Sequence, residues 1–271
     1  MLAREVRKIL VLFRWTRSSY YLLSSFFLLI FLIGYIWWPL LAEYLNTFNP
    51  QISFWQQVDW LLLGIFTAMT LLIMANADIK KDWMIVLIGL FGGLTIEGWG
   101  TQTWLWTYYT NERPPLWIIP AWPIASLSID RLFKMLNLFS RQAPDSIFKI
   151  IYWILFFLFY VLMLYFVSPT MEKSLTIMAL LLCAYLILTP TNYRAMVLTF
   201  FAGTLLGYFL ERWGTTRQCW VYYTQETPPL FAILAHGMAA VAFWRVMMLL
   251  KAFEPRVIAL MKYSQKQSKT N

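Results

Sequence analysis

The sequence predicts an all-α polytopic membrane protein of about eight transmembrane helices, arranged as two parallel four-helix repeats with pseudo-twofold symmetry. Three observations predict it. The 271-residue chain is 60% apolar and 13% charged, a balance outside that of water-soluble domains. Its apolar runs far exceed the length of a barrel strand. A long segment also recurs at a fixed offset of 114 residues. Lipid offers the backbone no hydrogen bonds, so runs of this length must span as helices.

Met1 to Ser19 places Arg4, Arg7, Lys8 and Arg14 on one side of a helix and Val6, Ile9, Leu10 and Phe13 on the other. This pattern predicts an interfacial amphipathic helix over 1–19. The apolar run that follows is too long for a signal-peptide core and lacks an obvious small-residue cleavage site, so it is expected to remain as the first span. Candidate spans are 20–42, 58–76, 83–97 and 115–132, which form repeat 1 (20–132). After a connector (133–146), 147–167, 174–189, 195–211 and 229–250 form repeat 2 (147–250). A basic tail (251–271) ends in the polar stretch Ser264 to Asn271, which has nothing to bury and is expected to be disordered.

The formal charge of +9 is spread between and beyond apolar segments, so it indicates membrane orientation rather than nucleic acid. Counting alternate connections, one side carries the N-terminal cations, Lys80, Lys81, Arg131, Lys134, Arg141, Lys149 and Arg194, with Lys251, Arg256 and Lys262 after them. The other side has Arg113, Lys173, Arg212 and Arg217. The positive-inside rule then places both termini in the cytoplasm and the motif loops outside, as expected for a bacterial inner-membrane protein. Cys183, Cys219 and the single His236 lack metal-ligand spacing, so no metal, disulfide or cofactor is expected.

At the 114-residue offset, Leu94 to Arg131 aligns without gaps with Tyr208 to Arg245, and 16 of 38 positions are identical. That is far beyond chance for two unrelated apolar segments, so the chain reads as a duplication. Glu97 matches Glu211, Trp99-Gly100-Thr101 matches Trp213-Gly214-Thr215, and Trp106 matches Trp220. Tyr108-Tyr109-Thr110 matches Tyr222-Tyr223-Thr224, and Pro114-Pro115-Leu116 matches Pro228-Pro229-Leu230. Gly89 and Gly93 pair with Gly203 and Gly207. Because each unit holds an even number of spans, the copies run in the same direction, related by an axis along the membrane normal.

The Gly-xxx-Gly pairs let helix backbones approach closely in lipid. Glu97 and Glu211 stand one further helical step along the same faces, so each is expected to point into the bundle. An ionisable residue there is a candidate functional group. The alternative is a helix-end carboxylate bonded to turn residues such as Gly100 and Thr101. Trp99, Trp106, Tyr108, Tyr109, Trp213, Trp220, Tyr222 and Tyr223 fit an interfacial aromatic belt, or a shaped pocket whose ring faces stabilise cations and stack on conjugated or isoprenoid ligands. The prolines fit helix starts. Arg131 and Arg245 are expected to snorkel to the cytoplasmic surface. The repeat departs at Trp122, which His236 replaces. The imidazole is either a packing residue or the one group that leaves a titrating site in a single copy.

The order Glu97, Gly100, Trp106, Tyr108, Tyr109, Pro115 and Pro120 resembles the membrane carotenoid-biosynthesis family that includes the carotenoid 1,2-hydratases. The likeness covers about 25 residues, or twice that with the second copy. This chain has Trp104-Leu105-Trp106 where that family has a Gly-Pro-Phe-Gly-like stretch, and it repeats the motif. The resemblance implies binding of, or chemistry on, a bilayer-dissolved isoprenoid or carotenoid-like lipid. In that chemistry a carboxylic acid protonates an alkene, aromatic rings stabilise the cation, and water adds; the candidate catalytic residues are Glu97, Glu211 and His236. Two other classes stay open: a non-catalytic scaffold or accessory subunit that binds lipid or pigment, and a small-molecule transporter with the two glutamates as proton carriers. No nucleotide-binding loop or nucleophile motif is present.

Overall fold

The computed structural model describes residues 10–267 apart from 12 and 37. About 76% of the described residues are helical. In chain order the helices are α1 (Arg17–Ile36), α2 (Trp38–Asn46), α3 (Phe54–Gln57), α4 (Trp60–Met74) and α5 (Ile79–Gln102). After strand β1 (Trp106–Tyr108) come α6 (Ile118–Phe139), α7 (Asp145–Val167), α8 (Ser174–Leu188) and α9 (Tyr193–Thr216), then β2 (Trp220–Tyr222) and α10 (Leu230–Gln267).

Five segments are long and apolar enough to cross a bilayer: Arg17–Ile36, Ile79–Gln102, Asp145–Thr170, Tyr193–Thr216 and Leu230–Phe253. The apolar helices α4 and α8 have 15 residues each, or about 22 Å of rise. The outward faces of these elements carry large apolar side chains such as Phe31, Phe157, Leu181 and Leu188, a surface suited to lipid and not to water. The fold is that of an all-α membrane protein.

Helix boundaries depart from the sequence reading in consistent ways. The run expected as one span over 20–42 divides into α1 and α2, with Pro39 in the first turn of α2, where its missing N–H costs little. α5 and α9 each start earlier and end five residues later than expected, so Trp99-Gly100-Thr101 and Trp213-Gly214-Thr215 are helical and not turns. Asp78 and Asn192 cap these two helices, accepting hydrogen bonds from Lys80 N and Ala195 N. α6 begins at Ile118, three residues after Pro115, whereas α10 begins directly after Pro229. α10 also continues through Gln267, so Ser264–Gln267 is helical where disorder was expected. Residues 268–271 lie outside the described residues. Of the expected amphipathic segment 1–19, residues 1–9 lie outside them as well. Leu10 and Val11 are helical, and residues 14–16 are not.

The core is built by α9 on α10 and α5 on α6, with α6 and α9 joining the two pairs. Glycine decides how close the helices come. A Cβ at Gly93 would lie 2.2 Å from the Trp122 ring, and one at Gly207 2.5 Å from His236 Cβ. Gly89 faces Ser126 and Pro123, and Gly203 faces the His236 carbonyl and Ala240. The glycine faces therefore meet protein, as small-xxx-small packing requires.

Arg131 does not snorkel. It is 3% exposed, and its guanidinium bonds the Ala75 carbonyl at 2.9 Å and Asp82 at 2.6 Å, and pairs with Asp130. The carbonyl at the end of α4 and the first-turn Asp82 of α5 are thus held by one side chain, whose charge is compensated on both sides. Arg245 is half-buried and bonds the Thr189 carbonyl, at the end of α8, at 2.5 Å.

Candidate functional site

The segments that follow α5 and α9 meet at one end of the bundle. β1 and β2 pair antiparallel with Trp106 opposite Tyr222 and Tyr108 opposite Trp220. The pairing continues reciprocally, as Tyr109 N–H donates to the Cys219 carbonyl and Tyr223 N–H to the Leu105 carbonyl, each at 3.1 Å. Side chains alternate along a strand. Trp106 and Tyr108 share one face, and Trp220 and Tyr222 do the same on the partner strand.

Those faces turn onto two buried carboxylates. Glu97 (6% exposed) accepts from Trp106 Nε1 at 3.0 Å and Tyr108 OH at 2.7 Å on Oε2, and from Trp122 Nε1 at 3.1 Å on Oε1. Glu211 (4% exposed) accepts from Trp220 Nε1 at 2.9 Å on Oε2 and from Tyr222 OH at 2.8 Å on Oε1. His236 Nε2 lies 3.0 Å from the same Oε1, and it donates or accepts there according to its tautomer. Neither carboxylate bonds Gly100, Thr101 or their counterparts. The Thr101 and Thr215 hydroxyls bond the backbone carbonyls of Glu97 and Glu211 instead.

The local sequence explains how indoles reach back to a helix. A Cβ at Gly100 would lie 1.8 Å from the Trp106 ring, and one at Gly214 2.0 Å from the Trp220 ring. Each ring therefore lies flat across a glycine one turn beyond its glutamate, with its N–H directed at the carboxylate. The turns before the strands need left-handed residues, and Trp104 and Gln218 have φ of 65° and 55°. The same holds after the strands, where Asn111 and Gln225 have φ of 59° and 60°.

The two half-sites touch through their rings. Trp122 and His236 stack with centroids 5.5 Å apart and planes at 19°. Trp106 packs on Tyr222 at 5.9 Å and Tyr108 on Trp220 at 6.1 Å. A pair of carboxyl groups is thus enclosed by six hydrogen-bonding rings. Among the described residues no three His, Cys, Asp or Glu side chains converge as metal ligands.

Of the residues predicted from sequence, Glu97, Trp106, Tyr108, Glu211, Trp220, Tyr222 and His236 are brought together here. Four are not. Trp99 bonds the Thr176 hydroxyl and packs edge-on against Trp106, and Trp213 bonds Asp59 at 3.0 Å. Tyr109 is half exposed, and Tyr223 bonds the Phe166 carbonyl. Trp122 is the site residue that sequence reasoning missed. Its signal was its place opposite His236 in the duplication.

Fold and site define an all-α membrane protein with a buried pair of carboxyl groups held by aromatic and imidazole rings. No protein-family model, curated protein sequence or solved structure matches the chain.

Proposed function

We propose that the chain is an eight-span integral membrane protein of two parallel four-helix units, and that Glu97 and Glu211 form a proton-transfer centre acting on a bilayer-dissolved isoprenoid. The duplicated reading is supported by contacts that recur at the 114-residue offset: the carboxylate–indole–phenol triplets, the caps at Asp78 and Asn192, and the Arg131–Ala75 and Arg245–Thr189 bonds. α4, α6 and α8 supply the spans beyond the five long apolar segments, and both termini are cytoplasmic by the charge asymmetry.

The observation that carries the chemical reading is the enclosure of two ionisable groups by aromatic rings inside a lipid-facing bundle. Carboxyl groups at such a place are retained for function by default. In the proposed reaction a carboxyl O–H gives its proton to one alkene carbon and forms a C–H bond. The positive charge left on the neighbouring carbon is stabilised by ring faces. A water oxygen bonds that carbon and returns a proton to the carboxylate, so the net change is addition of water. His236, absent from the Glu97 half, makes the Glu211 half the better proton shuttle.

One observation favours a second reading. Each carboxyl group already has three internal hydrogen-bond partners, which also suits a pin that locks its strand to its helix in a non-catalytic scaffold or pigment-binding subunit. A lipid extract of the purified chain separates the two. A linear polyisoprenoid that co-purifies and is hydrated on incubation supports the first, and bulk phospholipid alone supports the second.

A further inference from the structure

Residues 38–60 join α1 to α4 through α2 and α3, and none of the described residues among them is buried. They nevertheless expose a dense set of large apolar side chains, among them Trp38, Leu41, Tyr44, Phe54, Trp55 and Trp60. The rings form a chain. Tyr44 packs on Phe48 at 5.4 Å, Phe48 on Phe54 at 5.7 Å, Phe54 on Trp55 at 5.7 Å and Trp55 on Trp60 at 5.9 Å. Residues 18–79 contain no Lys or Arg. In water such a patch would be an apolar surface in need of a partner.

Helix lengths fix the height of the patch. The opposite ends of α1 and α4 are pinned together, since Ser19 Oγ donates to the Met74 carbonyl and Thr16 Oγ1 to the Ala77 carbonyl, each at 2.6 Å. Arg14, Arg17, Lys80 and Lys81 are exposed beside this pin and mark the membrane boundary at that end. From Met74 to Trp60, α4 rises about 21 Å, and from Ser19 to Ile36, α1 rises about 26 Å. The hydrocarbon layer is about 30 Å thick, and helix tilt lowers both heights. Both feet of the segment, at Trp38 and Trp60, therefore fall at or below the far edge of the hydrocarbon. Asp59 holds them at the strand end of α9, accepting from Trp213 Nε1 and from Arg217, each at 3.0 Å.

That height says what covers the patch. Lipid already meets the exposed face of α1 just below it, at Phe27, Phe31 and Tyr35, and Trp and Tyr are the side chains that settle at headgroup level. The missing cations leave nothing to select an anionic headgroup. We infer that residues 38–60 form a non-spanning hairpin seated in the leaflet at the strand end of the bundle, where its exposed face takes a neutral or zwitterionic lipid surface as partner. The segment is an anchor and not a loop in water. The inference rests on the membrane fold and on none of the chemistry proposed for the carboxyl groups.

The test uses the full-length chain carrying Cys183→Ala and Cys219→Ser, reconstituted in phosphatidylcholine vesicles, with a single nitroxide label on Leu41→Cys or Trp55→Cys. Phe31→Cys gives the lipid reference, and Asn111→Cys, in an exposed turn at the strand end, gives the aqueous one. At Leu41 and Trp55, collisions with a water-soluble nickel chelate are expected to fall severalfold below those at Asn111, and collisions with oxygen to rise above them. Adding phosphatidylglycerol to the vesicles is expected to shift neither. Should the cysteine substitutions prevent folding, a second measurement keeps both cysteines. Brominated phosphatidylcholine quenches tryptophan emission, and combining Trp38→Phe, Trp55→Phe and Trp60→Phe is expected to lower the quenched share. Nickel collisions at either site equal to those at Asn111 would place the segment in water. A label shielded from nickel and oxygen alike would mean that protein, a second copy or another chain, covers it. Either result would overturn the inference, as would shielding that requires phosphatidylglycerol or a quenched share unchanged in the triple variant.

Discussion

At the residue scale, each carboxylate is defined by which of its oxygens serves which donor. Glu97 Oε2 takes two donors and Oε1 takes Trp122 alone. In Glu97→Gln the amide oxygen keeps the doubly bonded position, so the new NH2 faces the Trp122 N–H. Leaving a buried donor unpaired costs about 1–3 kcal/mol, and thermal unfolding in detergent should show that loss. Adding Trp122→Phe removes the opposing donor and should recover part of it. A double variant no more stable than Glu97→Gln would mean Trp122 is not the partner in conflict. Arg131 gives a second prediction. Arg131→Ala leaves the buried Asp82 carboxylate without its cation, while Asp130 keeps Lys134, and the expected loss is about 3–5 kcal/mol, read by the same melt. Wild-type stability in that variant would contradict the buried cluster.

The glutamates were legible in the sequence because they continue the spacing of Gly89-Gly93 and Gly203-Gly207, a local geometric rule. The roles of Tyr109 and Tyr223 were not, because they depend on a strand alternation that a three-residue strand barely signals. The burial of Arg131 was also hidden. Its partner Asp82 lies 49 residues away, and no local pattern reports such a pairing.

At the scale of elements, the helices were legible as apolar runs, but their ends were not. α5 continues past Gly98 and Gly100, and α9 past Gly214, because an indole from the following strand lies across Gly100 and Gly214. The tertiary contact overrides the weak helix propensity of Trp-Gly-Thr. The apolar run over 20–42 was read as one element because periodicity does not reveal a division within a uniformly apolar stretch. The glycine contacts yield the clearest prediction here. Gly93→Leu must displace the Trp122 ring and Gly207→Leu the His236 side chain. Each should cost at least the ~1–3 kcal/mol typical of overpacking, seen as lower expression and a lower melting temperature. Gly98 and Gly64 have no neighbouring atoms within 4 Å of an added Cβ, so Gly64→Ala and Gly98→Ala serve as controls expected to melt like the parent. If Gly93→Leu and Gly207→Leu also melt like the parent, the close helix approach is wrong.

At the scale of the whole molecule, the strand pairing draws the two motif segments together at one end of the bundle, the end proposed from the charge asymmetry to be extracytoplasmic. Thiols introduced singly at Asn111 and at Gln225, both in turns at this end, should be labelled from the same, extracytoplasmic side by an impermeant maleimide. Labelling from opposite sides would contradict the parallel duplication. The chemistry of the centre is tested most directly in D2O. The purified chain would be incubated with a linear polyisoprenoid, and the products read by mass spectrometry for added water and for deuterium on carbon. The account predicts a product heavier by one D2O with one deuterium bound to carbon. It also predicts no such product from folded Glu211→Gln, with folding confirmed by size exclusion. Product formation by Glu211→Gln and Glu97→Gln at the parental rate, or no product from the parent chain with any linear polyisoprenoid offered, would contradict it.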